Sequence, residues 1–434
     1  MSEALLPVEP GRRRLLRLDS AVILKRFLYL ERAMVVAAAA WIPAVQRLET
    51  KALLGRSAWE DAETARALRN RIFELRYPDR TLDLGAERPL VALFEAALDA
   101  PGATDLLLAL AEVLVPAQRN AYEGYLEVSD EIADAPTRRF LEVAVKEKAA
   151  RERALREAAE HEPGAPGEWV ASLQGRLDEL SGVSLESPSA AAATHPSITG
   201  GRHFGLAQEP ARDPRYHVTP FYWPDALDPD YPYGEGMLLQ LRSAVSHLNE
   251  VWAVESAGAI LHAFERELGW DFLFDAARWL YDESRHMTMG LHRLSFWGFE
   301  PEQIPLGSYI YQACRDQDPI VRLAMLAFFE TKNIGKKKVR AAAFGGLGDR
   351  TSQRDMDFDW ADEAIHAGYG RRWLRAALEV RGEDPESWPE LVSRCENLVS
   401  ERVARATEPE RRACWEGAAA LVARAEELVL SSSP

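Results

Sequence analysis

The sequence predicts an all-α protein. Long Ala/Leu/Arg/Glu segments carry apolar residues at three- and four-residue intervals, and alternating β-branched runs are almost absent. Pro and Gly clusters cut the chain into helix-sized pieces. With 434 residues, 47% of them hydrophobic, the chain can bury a sizeable core and fill more than one domain.

Charge and cysteine usage narrow the class. The 68 Asp+Glu against 52 Lys+Arg leave a formal charge of −16, which argues against a nucleic-acid or anionic-membrane partner. Cys314, Cys395 and Cys414 show no CxxC spacing, so neither a disulfide framework nor a thiolate zinc site is expected, and the compartment is read as cytoplasmic. Met1 to Arg14 lacks the apolar run of a secretory signal. The longest apolar stretch, Ala33 to Val45, contains Pro43 and is 13 residues long, short of the roughly 20 that span a bilayer.

In chain order, residues 1–180 are expected to form an N-terminal helical domain. Its helices break near Tyr77-Pro78-Asp79, at Pro101-Gly102, near Ala135-Pro136 and over Pro163 to Gly167. Residues 181–235 form a linker, rich in Ser/Ala/Pro/Gly to about Gly201. Phe221-Tyr222-Trp223-Pro224 and Tyr231-Pro232-Tyr233-Gly234 follow, and predict that its second half packs as an ordered loop. Residues 236–380 hold four long helices, at about 237–268, 271–295, 318–343 and 357–380, separated by Gly269, by Gly298 with Pro301, and by Gly345 to Gly348. That glycine run is no phosphate loop, because it follows a helix and lacks a Gly-Lys-Ser/Thr ending. Residues 381–434 add two C-terminal helices.

The chemistry concentrates in Asp282-Glu283-Ser284-Arg285-His286 and Asp362-Glu363-Ala364-Ile365-His366. In each, Glu and His stand three apart on a predicted helix, so both side chains leave one face and can bind one metal ion. Each motif follows a helix with a glutamate in apolar surroundings, Glu255 before the first and Glu330 before the second. Isolated charges on such faces would be costly to bury, and a cation offsets that cost by direct coordination. Four carboxylates and two imidazoles suffice for two divalent ions with positions left open for oxygen or water.

This pattern resembles the ferritin-like di-iron carboxylate superfamily. The stretch Tyr-Asp-Glu-Ser-Arg-His-Met-Thr-Met-Gly from Tyr281 to Gly290 is similar to the first Glu-x-x-His helix of the hydroxylase subunits of bacterial multicomponent monooxygenases. The resemblance runs from 240 to 380 and implies a ferritin-like four-helix bundle, with the N-terminal helical domain and the C-terminal helices as additions. By that resemblance Glu255, Glu283 and His286 serve one iron and Glu330, Glu363 and His366 the other, with Glu283 and Glu363 able to bridge. It further implies that Asp282 and Asp362 accept hydrogen bonds from ligand histidines. Mn/Fe or Mn is the alternative metal, and O2 the co-substrate.

Helical spacing places Trp252, Gly258 and Ala259 beside Glu255, Met289 and Gly290 beside His286, Leu326, Ala327 and Ile334 beside Glu330, and Tyr369 beside His366, which together forecast an apolar pocket. His262, one heptad after Glu255, is better read as a core or surface histidine than as a ligand, and His195, His203 and His217 have no assigned role. Lys336-Lys337-Lys338-Val339-Arg340 is read as a solvated, dipole-compensating patch or a docking site for an acidic electron-transfer protein. The N-terminal half echoes the bundle, with Glu31, Glu63-Thr-Ala-Arg66, Tyr122-Glu123 and Glu147-Lys-Ala-Ala150 in corresponding places but without the histidines.

The functional expectation is an O2-activating oxidoreductase, a monooxygenase or oxidase that attacks a C–H or N–H bond of a small molecule. No flavin, Rossmann or iron–sulfur motif occurs, so electrons would come from a ferredoxin, a reductase or the substrate. A ferroxidase or metal-handling protein and a metal-free helical scaffold are the alternatives.

Overall fold

A computed structural model describes residues 15–77, 84–186 and 201–431. The readings that rest on residues 1–14, Pro78, Asp79, His195 and residues 432–434 lie outside the described residues. Helix accounts for 76% and strand for 1%. Among the described residues no helix is long and apolar enough to cross a membrane. The chain divides into two compact units, Met1–Ala37 with Glu60–Phe204, and Ala38–Trp59 with Gly205–Pro434.

Helices α1 (Arg17–Trp41) and α2 (Leu48–Glu74) contribute to both units. The first unit continues with α3 (Arg88–Glu95), α4 (Ala103–Leu108), α5 (Val115–Val128), α6 (Ala135–His161) and α7 (Trp169–Glu179). Pro89 and Pro136 sit in the first turns of α3 and α6, where the missing N–H costs little, whereas Pro116 directly follows the π-helical turn Ala109–Leu114 that joins α4 to α5.

The interior of this unit holds a charge cluster one or two residues out of register with the sequence-based echo. Glu31, Asp61, Lys148 and Arg151 are the buried members, whereas Glu63 is exposed and Glu123 and Glu147 are half-buried. The Lys148 ammonium lies 2.9 Å from both Glu31 and Asp61, and Arg151 pairs with Asp61 at 2.6 Å and Glu60 at 2.9 Å. Burial pushes the Glu31 carboxyl up to about 8, against the opposing pull of Lys148, and Tyr122 donates its hydroxyl proton to the same carboxylate. Side-chain cations thus hold Asp61 ionised, while burial outweighs Lys148 at Glu31. Lys148→Met should destabilise the protein by roughly 3–5 kcal/mol, because it leaves two buried carboxylates short of a partner. Chemical denaturation reads the loss, and adding Glu31→Leu to Lys148→Met should recover part of it.

In the second unit the aromatic half of the linker is ordered, with Phe221, Tyr222 and Trp223 buried. Strand β1 (His217–Val218) pairs in parallel with β2 (Pro305–Leu306), His217 opposite Pro305. The helices are α8 (Met237–Asn249), α9 (Val251–Phe264), α10 (Gly269–Phe296), α11 (Tyr309–Ala313), α12 (Pro319–Gly346), α13 (Arg350–Val380), α14 (Trp388–Ala404) and α15 (Glu408–Ser431). Helix α12 lies along α13, α10 packs against both α8 and α9, and α9–α12 and α10–α13 contacts close the bundle. Asp318 caps α12 through the Ile320 N–H at 3.0 Å, and Asp349 caps α13 through the Ser352 N–H at 2.9 Å.

Two glycines set the spacing of the bundle. A Cβ on Gly290 of α10 would stand 2.2 Å from the Leu248 nitrogen of α8, and one on Gly370 of α13 would stand 2.6 Å from the Ala327 Cβ of α12. Any larger residue would push these helices apart.

The segment read as one helix over 237–268 is two. It breaks at Glu250, where the Asn249 amide donates to the Val245 and Pro305 carbonyls and its oxygen accepts the Gly307 N–H. That break decides which glutamate reaches the site.

Candidate metal centre

Helices α10 and α13 each present their Asp-Glu-x-x-His face to the bundle interior, where Asp282, Glu283, His286, Asp362, Glu363 and His366 are all buried. Glu330 arrives from α12, its carboxylate accepting the Trp279 indole N–H at 3.1 Å. Glu283, Glu330, Glu363 and His366 form one group whose ligand atoms lie within 4.8 Å of one another, and Glu250, Glu283 and His286 form a second on the same criterion. His286, Asp359 and Glu363 form a third. Glu283 and Glu363 each belong to groups on both sides, the arrangement a bridging carboxylate requires.

Glu255 does not join them. It is fully buried, with Lys51 Nζ at 3.0 Å and the Arg212 guanidinium clamped on both of its oxygens. Five residues of helix turn a side chain by about 140° relative to Glu250, so Glu250 and Glu255 cannot face the same cavity. Glu250 takes the place that the sequence reading gave to Glu255. An equal spacing marks it, since 283 − 250 and 363 − 330 are both 33. Glu255→Ala should leave metal stoichiometry unchanged while lowering stability by roughly 3–5 kcal/mol, because two buried cations lose their partner. Elemental analysis and a melting curve on one preparation separate the two effects.

The outer layer is crossed. His366 Nε2 faces Asp282 of α10 at 3.4 Å, and His286 Nε2 faces Asp362 of α13 at 3.3 Å, so each aspartate serves the histidine of the other helix. Arg285 bridges the two aspartates at 2.5 Å and 2.9 Å, and Arg278 adds a contact to Asp282 at 2.6 Å. With Nε2 occupied, both Nδ1 atoms turn towards the glutamates, His366 Nδ1 lying 3.1 Å and His286 Nδ1 3.6 Å from Glu283. His286 Nδ1, His366 Nδ1, Glu250 Oε2, Glu283 Oε1 and Glu363 Oε2 are buried and make no well-aligned hydrogen bond, although His366 Nδ1 lies 3.1 Å from Glu283 Oε1 and His286 Nδ1 3.4 Å from Glu250 Oε2. Buried polar atoms are rarely left this way, and here five of them are of metal-ligating type.

Electrostatics explain how the bare chain holds this arrangement. Burial alone would raise Glu283, but the His286 and His366 imidazoles beside it override that and hold the carboxyl well below the usual range. Burial would depress His366, yet Asp282 and Glu283 push it up to about 9. Burial and the neighbouring Glu363 and Glu283 carboxylates push Glu330 well above its ordinary value. The Lys337 ammonium stands 2.6 Å from Asp359 and 3.6 Å from Glu250, and also donates to Glu363. The reading of Lys337 as part of a solvated patch is thereby corrected: one of its neighbours, Lys338, is exposed, but Lys337 itself is buried because α12 turns that position inward.

Asp359, Lys337 and His247 also escaped the sequence reading. Asp359 accepts from His247 Nε2 at 2.9 Å, and His247 Nδ1 lies 2.6 Å from Arg293 Nη2. Asp359 stands four residues, one turn, before Glu363, and His247 stands three before Glu250, the spacing of the main motif.

Of the forecast pocket residues only Trp252 lines the cavity of about 260 Å³ beside Glu250, Glu283, Glu330 and Glu363. Gly258 and Ala327 are used for close packing, against Ala39 and Gly370 respectively. Ala259 and Leu326 are buried core, Met289 lines a separate cleft with Tyr281 and Arg285, and Ile334 is half-buried away from the cavity. The Tyr369 ring lies 6.4 Å from that of His366 and outside the cavity lining. Half-buried His262 belongs to none of the carboxylate–histidine groups.

Residues 198–413 match a family described as a protein of unknown function (DUF455). No curated protein matches the chain, and no solved structure does.

Proposed function

We propose that this protein is an O2-activating oxidoreductase with a non-haem dinuclear metal centre that oxidises a C–H or N–H bond of a small organic molecule. The observation that carries the proposal is the convergence from α8–α9, α10 and α13 of five buried ligand-type atoms without a well-aligned hydrogen bond, with two glutamates shared between neighbouring groups. The donor set of carboxylates and imidazoles suits iron or manganese. One position would be held by Glu283, Glu330, Glu363 and His366, the other by Glu250, His286 and Asp359 with the shared glutamates. Bound there, such a pair supplies redox equivalents and sites for O2.

The chain's own residues do the rest. Asp282 and Asp362 hold each imidazole with Nδ1 inward, Arg285 and Arg278 neutralise those aspartates, and Trp252 and Phe329 give the adjoining cavity an apolar wall. That cavity favours substrate oxidation over storage, because metal storage needs no organic pocket beside the ligands. A metal-free scaffold is the competing reading, and Lys337 supports it by compensating part of the charge. One ammonium nevertheless faces Glu250, Asp359 and Glu363 together. Anaerobic loading with Fe(II), metal counting and an absorbance scan after O2 addition decide between them. About two irons per chain and a new visible band are expected, and a chain that binds no metal would exclude both metal readings.

A further inference from the structure

The cavity lining combines two kinds of group. It includes the carboxylates Glu250, Glu283, Glu330 and Glu363, and also Arg242, one to two helical turns back along α8 from His247 and Glu250. Arg242 is 6% exposed. Its Nε and Nη2 are spent on Asp225, at 2.8–3.1 Å, while Nη1 is buried without any acceptor. Tyr222, Trp223 and Tyr233 surround the guanidinium with ring centroids 5.5, 5.7 and 5.0 Å away, which fixes its plane and keeps water off it. The Tyr233 hydroxyl is likewise buried without a partner.

Such a group is expensive to leave idle. A buried guanidinium edge with no acceptor forfeits a charge-assisted hydrogen bond, and a carboxylate entering the cavity would supply the strongest kind of acceptor for it. The wall around it is positive as well. Arg340 lies 3.8 Å over the Tyr233 ring, and Lys336 joins the same lining, whereas the Arg242 charge is offset by Asp225 and that of Lys337 by Asp359 and Glu363. Trp252, Phe329 and Ile310 add apolar surface to the same lining.

We infer that the cavity takes an organic carboxylate, its anionic head on Arg242 Nη1 and the Tyr233 hydroxyl, and its apolar body reaching toward the carboxylate cluster. Eight residues of α8 separate Arg242 from Glu250, about 12 Å along the axis, so the head and the oxidised position lie at opposite ends of a small elongated molecule. The inference deepens the oxidoreductase reading by naming the substrate class, but the anion site itself consists of protein groups alone.

The test uses the full-length chain, metal-loaded and after chelation, with 4-phenylbutyrate as probe, 4-phenylbutanol as its neutral analogue and phenyl phosphate as the dianionic one. Calorimetry on the chelated protein is expected to show the acid binding at least tenfold more tightly than the alcohol, and more tightly than the phosphate. Arg242→Gln should abolish that preference. Because Arg242 is buried, Arg340→Ala, which lies at the margin, is measured beside it and should weaken the acid severalfold while leaving the alcohol unchanged. Equal binding of acid and alcohol by the wild-type chain, or an acid preference that survives Arg242→Gln in a folded variant, overturns the inference. A phosphate preference overturns the carboxylate assignment. Acid preference in a chain that never binds metal would sink the oxidoreductase reading and leave the anion site standing.

Discussion

Glu283→Ala is expected to abolish metal binding at both positions together. Glu283 lies 3.1 Å from His366 Nδ1 and 3.6 Å from His286 Nδ1, and belongs to a candidate group on each side. Losing an outer-layer partner of a metal ligand typically costs about 10–100-fold in affinity, so loss of a shared ligand should exceed the upper end of that range. Metal counting after gel filtration should fall from about two ions per chain to none, while the far-ultraviolet circular dichroism stays helical. A variant that keeps both ions would show that the glutamate is not shared, and one that keeps a single ion would assign it to one position.

Lys337→Met should lower the stability of the metal-free chain. Among the described residues the ammonium is the only side-chain cation seen within 4 Å of Glu363, and it also contacts Asp359 and Glu250. Removing one partner of a buried ionic cluster costs roughly 3–5 kcal/mol. Divalent metal should restore more stability to this variant than it adds to the wild-type chain, because the ion then supplies the charge that Lys337 provides in its absence. Denaturation curves with and without Mn(II) measure both quantities. Equal stabilisation of variant and wild type would mean that lysine and metal do not answer the same carboxylates.

These expectations rest on a site only partly legible in the sequence. Glu283, His286, Glu363 and His366 were readable because a three-residue spacing on a helix places two side chains on one face whatever the surroundings. Glu330 was readable because a lone glutamate in an apolar helix demands compensation. The same argument misassigned Glu255, whose compensation comes from Lys51 and Arg212, 204 and 43 residues away, where no local pattern could point to them. The equal 33-residue spacings from Glu250 to Glu283 and from Glu330 to Glu363 did point to the glutamate that the structure groups with Glu283 and His286.

By itself the sequence determined the helical class, the ordered aromatic half of the linker and the two motif faces, since periodicity and i,i+3 geometry are properties of the helix alone. The tertiary structure decided the rest: the break at Glu250, the crossed pairing of Asp282 with His366 and Asp362 with His286, the burial of Lys337, and the unpaired edge of Arg242. Each depends on which helices meet and at what rotation. A difference of about 100° per residue separates a ligand from a salt bridge, and only packing against neighbouring helices sets that angle.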